Sequence, residues 1–173
     1  MSAENSFLRI SHPDNWQVHG QGDALTITPR GGLIEDGWGN QALAYGAIVN
    51  IYEPRGYSSG GQQLAGPGYG QGSAQASATR LEQSTDELVQ ELRLSNRNLR
   101  VIRYRETIRV DGVTALSTYL SNDSPVGGRE TDWLITLECP DGLLFLVFTA
   151  PEPDVQRYEG TFHEMVRSVR IKR

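Results

Sequence analysis

Residues 161–170 read TFHEMVRSVR, so His163, Glu164 and Arg167 stand one residue short of the His-Glu-x-x-His that binds zinc in metallopeptidases. That chemistry needs two imidazoles one helical turn apart, both reaching one metal while the glutamate activates water. Arg167 occupies the second position, and a fixed cation there repels a metal ion. The segment reads instead as a C-terminal helix whose stripe is Phe162, Met165, Val166 and Val169, with His163 and Glu164 toward solvent. His12 and His19 flank a turn without a cysteine or carboxylate at ligand spacing, so no metal site is expected.

Other reactive types are scattered. Glu130 and Asp132 in RETDW fall on one face of a strand, where a carboxylate pair is conceivable, although surface decoration is the plainer reading. Cys139 in LECPDG is the single cysteine, so no internal disulfide can form; it is a candidate nucleophile or a bystander. GPGYGQGS lacks the strand-loop-helix setting and the Lys-Ser/Thr of a phosphate loop, and no Gly-x-Ser-x-Gly elbow is present. All 16 basic residues except Lys172 are arginine, which nearly removes Schiff-base and phosphate-loop lysine chemistry. An enzyme could be assembled only from dispersed residues such as Glu130, Asp132, His12 and the Cys139 region.

Binding features are clearer. In VIRYRETIRV, Arg103, Arg105 and Arg109 alternate with Ile102, Tyr104 and Ile108, so the three guanidiniums are expected on one strand face. That face suits an anion or an acidic protein surface, or else protects a solvated edge strand from aggregation. Trp38, Tyr57 and Tyr69 stand in Gly-rich loops, where an aromatic either anchors a partner or folds back as a lid. Trp16 and Trp133 lie in strand patterns and read as core.

The elements that must position these groups follow from periodicity. ALTITP (24–29) and AYGAIVNIYE (44–53) alternate as strands, the latter with Tyr45, Ala47, Val49 and Ile51 on one face. Residues 56–78 are Gly/Ser/Gln/Ala-rich and read as a loop insertion, at about 57–78, within a single domain spanning 1–173. Ser84 with Glu87 fits a capping box, opening a helix that ends near Asn96 with Leu81, Leu88 and Leu92 on its stripe. Asp111-Gly112 joins two strands in the strongest hairpin signal of the chain, and a second hairpin turns at ECPDG. Leu143 to Phe148 is apolar on both faces, as a covered central strand requires. The sum is an α+β fold: a mainly antiparallel central sheet of about six or more strands, with helices packed on both faces.

With 173 residues, 21 acidic and 16 basic, the chain can bury an adequate core without disulfide or metal, and no cofactor is expected. Its acidic balance argues against nucleic acid as a partner. No stretch approaches the roughly 18 apolar residues of a membrane span, so no membrane insertion is expected.

The segments ISHPDNWQV, LTITPRGG, AYGAIVNIYEP, TDELVQELRLSNRNLR, IRVDGVTALSTYL, WLITL, LLFLVFTAPEPDVQRY and TFHEMVRSVR together resemble a C-terminal accessory domain. It is found behind the catalytic part of certain bacterial, notably acidobacterial, HtpX-like zinc metallopeptidases. The order of elements, the opening Pro13-Asp14-Asn15-Trp16 and the closing helix also resemble the PsbP-like fold of the photosystem II extrinsic protein and the Mog proteins. The resemblance implies an antiparallel sheet between helices and action by binding rather than catalysis. No catalytic residue carries over, because the peptidase zinc motif belongs to the upstream domain.

The expected function is a non-catalytic protein-interaction module accessory to a peptidase, its partner a peptidase catalytic domain or the substrate. Binding is expected through Arg103, Arg105, Arg109, Trp38, Tyr57 and Tyr69. Such a domain would be extracytoplasmic if it belongs to a longer exported or membrane-linked protein. The alternatives are a small enzyme with a dispersed site, and a small-ligand carrier with an apolar pocket under the 31–41 or 57–78 loops.

Overall fold

Both expected hairpins are present in the computed structural model, which describes residues 1–35, 38–55 and 73–173, the side chains of 73–78 excepted. Strand β8 (Arg100–Val110) turns at Asp111 and Gly112 into β9 (Val113–Asp123). The two turn residues have φ of 49° and 77°, the left-handed pair that a tight hairpin needs and that Asp-Gly tolerates. Strands β10 (Arg129–Cys139) and β11 (Gly142–Pro151) form the second hairpin.

These four strands join β3 (Trp16–Gln21), β4 (Ala24–Pro29) and β7 (Gly46–Tyr52) in a seven-stranded antiparallel sheet, ordered β3-β4-β7-β11-β10-β9-β8. β11 lies at its centre, the place its doubly apolar run demands; Leu143, Leu144, Leu146 and Phe148 are each buried. A small sheet of β1 (Ser2–Glu4), β2 (Leu8–Ser11) and β12 (Arg170–Ile171), and a hairpin of β5 (Leu33–Glu35) and β6 (Gln41–Leu43), complete the strands among the described residues.

Two helices accompany the sheet, α1 (Ser73–Ser95) and α2 (Val155–Ser168). Successive residues of β10 alternate between two separate clusters. Trp133, Ile135 and Leu137 pack in the cluster containing Phe162, Met165 and Val166 of α2. Leu134 packs in the cluster containing Leu81, Leu88 and Val89 of α1. Thr85 of α1 and Thr136 of β10, both fully buried, share a hydrogen bond of 2.7 Å that fixes the helix along the strand.

One expectation is corrected here. α1 does not begin at Ser84 but at Ser73, inside the stretch read as a loop. Ser84 is buried within the helix, and Glu87 accepts hydrogen bonds from the Tyr52 hydroxyl and the Arg55 backbone N–H instead of closing a capping box. The alanines of SAQASATR favour helix intrinsically, and a helix already anchored at Leu81 extends through them at little cost. Residues 56–72 lie outside the described residues.

Candidate functional site

The most developed feature is a narrow cleft between the β10–β11 hairpin and α2. Sheet alternation sends Thr131 and Trp133 of β10, Tyr119 of β9, and Phe148 and Ala150 of β11 to one side of the sheet. Val155, Glu159, Phe162 and His163 of α2 supply the opposite wall. Trp133, Phe148, Ala150 and Phe162 are buried and form the floor, whereas Tyr119, Thr131, Val155 and His163 are half-exposed at the mouth.

An aromatic ladder builds this cleft. Tyr119 stacks on Trp133 at 5.8 Å with 4° between planes, a pairing set by their direct opposition in the β9–β10 register. Trp133 meets Phe148 at 5.5 Å, and Phe148 meets Phe162 at 5.3 Å. The buried Trp133 indole N–H donates to Ser117 Oγ at 2.8 Å, which satisfies its polar edge and fixes the ring plane. Two cationic or titratable groups cap the ladder. The Arg103 guanidinium lies 5.3 Å from the Tyr119 ring centroid, and the His163 ring lies 4.6 Å from that of Trp133. His163, expected toward solvent, therefore belongs partly to the cleft, with its Nε2 3.9 Å from Glu159 Oε1.

The size of the cleft decides what it can take. Its enclosed room is about 40 Å³, far below the roughly 300–1,000 Å³ of sites that enclose small-molecule ligands. One aliphatic side chain from a partner fits that volume. A second, more open groove of about 310 Å³ lies between Ser11, His12, Pro13, Thr161, Glu164 and Met165. There His12 donates its Nδ1–H to the Pro13 carbonyl at 2.9 Å and is almost fully buried.

The arginine expectation is revised. β8 is an edge strand, and its register shifts between Val101 and Arg103 and again between Arg103 and Glu106. Each bulge inserts a residue and breaks the alternation. Arg103 consequently joins the aromatic ladder, while Arg105 turns to α1 and pairs with Glu82 at 3.3 Å and Asp86 at 3.5 Å. Arg109 bonds the Gly112 carbonyl of its own turn. The three guanidiniums do not share a face; a bulged, charged edge is what discourages strand pairing. Arg105 sits at φ 38°, a left-handed conformation that costs a β-carbon-bearing residue about 1–2 kcal/mol. Arg105→Gly is expected to be more stable than Arg105→Ala by about 1 kcal/mol, since both lose the same ion pairs. Urea unfolding of the two variants checks this.

Trp38 is 92% exposed, between β5 and β6. Tyr57 and Tyr69 lie outside the described residues. The dispersed-enzyme set does not converge. Glu130 and Cys139 stand at opposite ends of β10, roughly 30 Å apart at strand spacing, and His12 lines the groove beside α2. Burial pushes the Cys139 thiol up, away from the thiolate that a nucleophile needs.

Glu130 and Asp132 are not surface decoration. They are 7% and 8% exposed, side by side on the face of β10 opposite the cleft. The Thr149 hydroxyl donates to Asp132 Oδ1 at 2.5 Å, but the buried Glu130 Oε2 has no hydrogen-bond partner. Burial first, then the neighbouring Asp132, raises the Glu130 carboxyl to about 8. Neither carboxyl lines either cleft described above.

No family model and no curated protein matches the sequence. Solved structures do. A cyanobacterial PsbP protein (CyanoP) from Synechocystis aligns with a TM-score of 0.56 at 12% identity, covering 95% of this chain and 86% of that one. LpqN of Mycobacterium tuberculosis, described as involved in cell envelope biogenesis, aligns at 0.50 and 9% identity, covering 96% and 83%. A Bacteroides thetaiotaomicron protein aligns at 0.53 and 8% identity; the alignment covers 96% of this chain but only 45% of that one. At such identities the likeness speaks for fold alone. The chain is an α+β sandwich with a PsbP-like fold, built on a seven-stranded antiparallel sheet and two helices.

Proposed function

We propose that this domain is a non-catalytic protein-binding module, which seats one apolar side chain of its partner in the cleft walled by β10, β11 and α2. The observation that carries the reading is the cleft itself. It is apolar in its floor, rigidified by the ladder from Arg103 to Phe162, and too small for a free ligand. Rigid aromatic surface of this kind binds side chains at low entropic cost. Arg103, 62% exposed and only loosely paired with Glu106 at 3.8 Å, keeps guanidinium donors for a carboxylate or carbonyl beside the seated residue. Separation of the two clusters along β10 supports the two-sided helix cover expected from the sequence, and this cover holds the cleft in shape.

The partner class rests on the sequence resemblance to accessory domains of HtpX-like zinc metallopeptidases. The module would position such a peptidase domain or present its substrate. An immunoblot of source cells against this domain is expected to reveal a polypeptide well above 19.1 kDa. A single band at that mass would contradict covalent attachment to a peptidase.

The cleft reading has its own test. Thr131→Arg places a long cation across the half-exposed mouth without touching the floor. Partner capture is expected to fall at least about tenfold, the loss of one anchoring residue, while thermal stability stays near wild type. Undiminished capture by a folded Thr131→Arg protein would remove the cleft from the binding site.

A further inference from the structure

Glu130 and Asp132 are two residues apart on β10, so their side chains emerge together on the face away from the cleft. Both are more than nine-tenths buried, and each carboxyl is pushed up first by that burial. Two buried carboxylates cannot both remain charged at this distance without a compensating cation. The charged groups acting on Glu130 are Asp132 on its own strand, Asp123 of β9 and Arg129 beside it. Arg129 is the one candidate counter-ion among them, and three of its five N–H donors are committed elsewhere. They go to Ser121 Oγ at 3.0 Å, Asp123 Oδ1 at 3.1 Å and the Asn98 carbonyl at 2.9 Å. From β11, Thr149 offers a single hydroxyl, and it donates to Asp132. Glu130 Oε2 is left buried without a partner.

We infer that Glu130 and Asp132 form a proton-binding site: at neutral pH they hold one shared proton, with Glu130 as the acid and Asp132 as the accepting carboxylate. The Glu130 O–H donates to Asp132, whose other demand is met by Thr149. Release of the proton to solvent leaves two adjacent buried negative charges.

The site sits back to back with the cleft, because Glu130, Thr131, Asp132 and Trp133 alternate along one strand. Deprotonation pushes Glu130 and Asp132 apart and loosens the end of β10 opposite Thr149 and Pro151. The cleft face carried by Thr131 and Trp133 moves with it. Proton occupancy on one face is thereby reported on the other. This link concerns the shape of the cleft and holds whether or not the cleft binds protein.

Infrared spectroscopy of the wild-type domain through a pH titration tests the site directly. A protonated-carboxyl carbonyl band is expected to persist at neutral pH, after the exposed carboxyls have ionised, and to disappear near pH 8. It should be absent in Glu130→Gln, and its loss should move to lower pH in Asp132→Asn. A wild-type spectrum without that band at neutral pH would overturn the shared proton, with no variant needed. The Trp133 indole NMR resonance tests the link between faces. It is expected to shift with the same midpoint and to stay fixed in Glu130→Gln; a resonance unmoved in wild type would overturn the link.

Discussion

Replacing Phe148 by alanine is expected to cost about 3–5 kcal/mol of folding stability. Phe148 is 1% exposed on the central strand and touches both Trp133 and Phe162. Removing its ring deletes one of the aromatic contacts by which the sheet packs on α2, and the most deeply buried one on the central strand. The cavity left beside Trp133 cannot fill by simple collapse, since the indole is held by Ser117 and by Tyr119. Denaturant unfolding measures the loss, with Val18→Ala as the control. Val18 is 42% exposed on edge strand β3, and its truncation should change stability by about 0.5 kcal/mol or less. A Phe148→Ala protein as stable as the control would mean that the ladder is not what holds α2 in place.

Glu130→Gln is expected to change how stability responds to pH. The Glu130 carboxyl ordinarily titrates near 4.5 and is raised to about 8 in the folded domain. A folded-state value above the unfolded one stabilises fully below the unfolded value. That contribution declines as pH rises and is lost once pH passes the folded value. Wild type should therefore lose stability across the window from about 4.5 to about 8. The full shift would correspond to nearly 5 kcal/mol, and partial solvent screening brings the expected loss to about 2–3 kcal/mol. Glutamine keeps the shape and cannot ionise, so the variant should be the more stable protein at mildly alkaline pH. Thermal melts of both proteins across that window decide the matter. Parallel pH profiles would show that Glu130 ionises as it does in the unfolded chain.

Much of the frame was legible because its signals are local. Asp111-Gly112 fixes a hairpin by backbone conformation alone, and the apolar run at Leu143–Phe148 can be satisfied only in the middle of a sheet. The stripe of Phe162, Met165 and Val166 likewise places α2. The arginine face failed because bulges leave no mark in an alternating sequence: two inserted residues send Arg103 and Arg105 to different surroundings. The cleft was missed for another reason. Tyr119, Trp133 and His163 come from three elements, and they meet only once the β9–β10 register and the rotation of α2 are set. His163 borders the buried stripe, next to Phe162, so a helical reading alone cannot say which way its ring leans.

The buried carboxyls had a readable sign. Leu134 and Thr136 follow Glu130 and Asp132 on one face of β10, while Trp133, Ile135 and Leu137 occupy the other. Apolar residues on both faces mark a strand covered on both sides. The reasoning that placed Leu143–Phe148 in the interior therefore applies equally to residues 130–137. A charged residue in such a strand is better read as a buried group needing a partner than as decoration.

The central claim is that the β10–α2 cleft seats an apolar side chain of a protein partner. Random peptides selected by display against the purified domain, followed by NMR mapping of the best binder, test it most directly. Selected peptides are expected to share one apolar anchor and to shift the resonances of Thr131, Trp133 and His163. They should lose binding to Thr131→Arg. Peptides that map instead to the exposed Trp38 hairpin or the β8 edge, or that bind Thr131→Arg as well as wild type, would contradict the account.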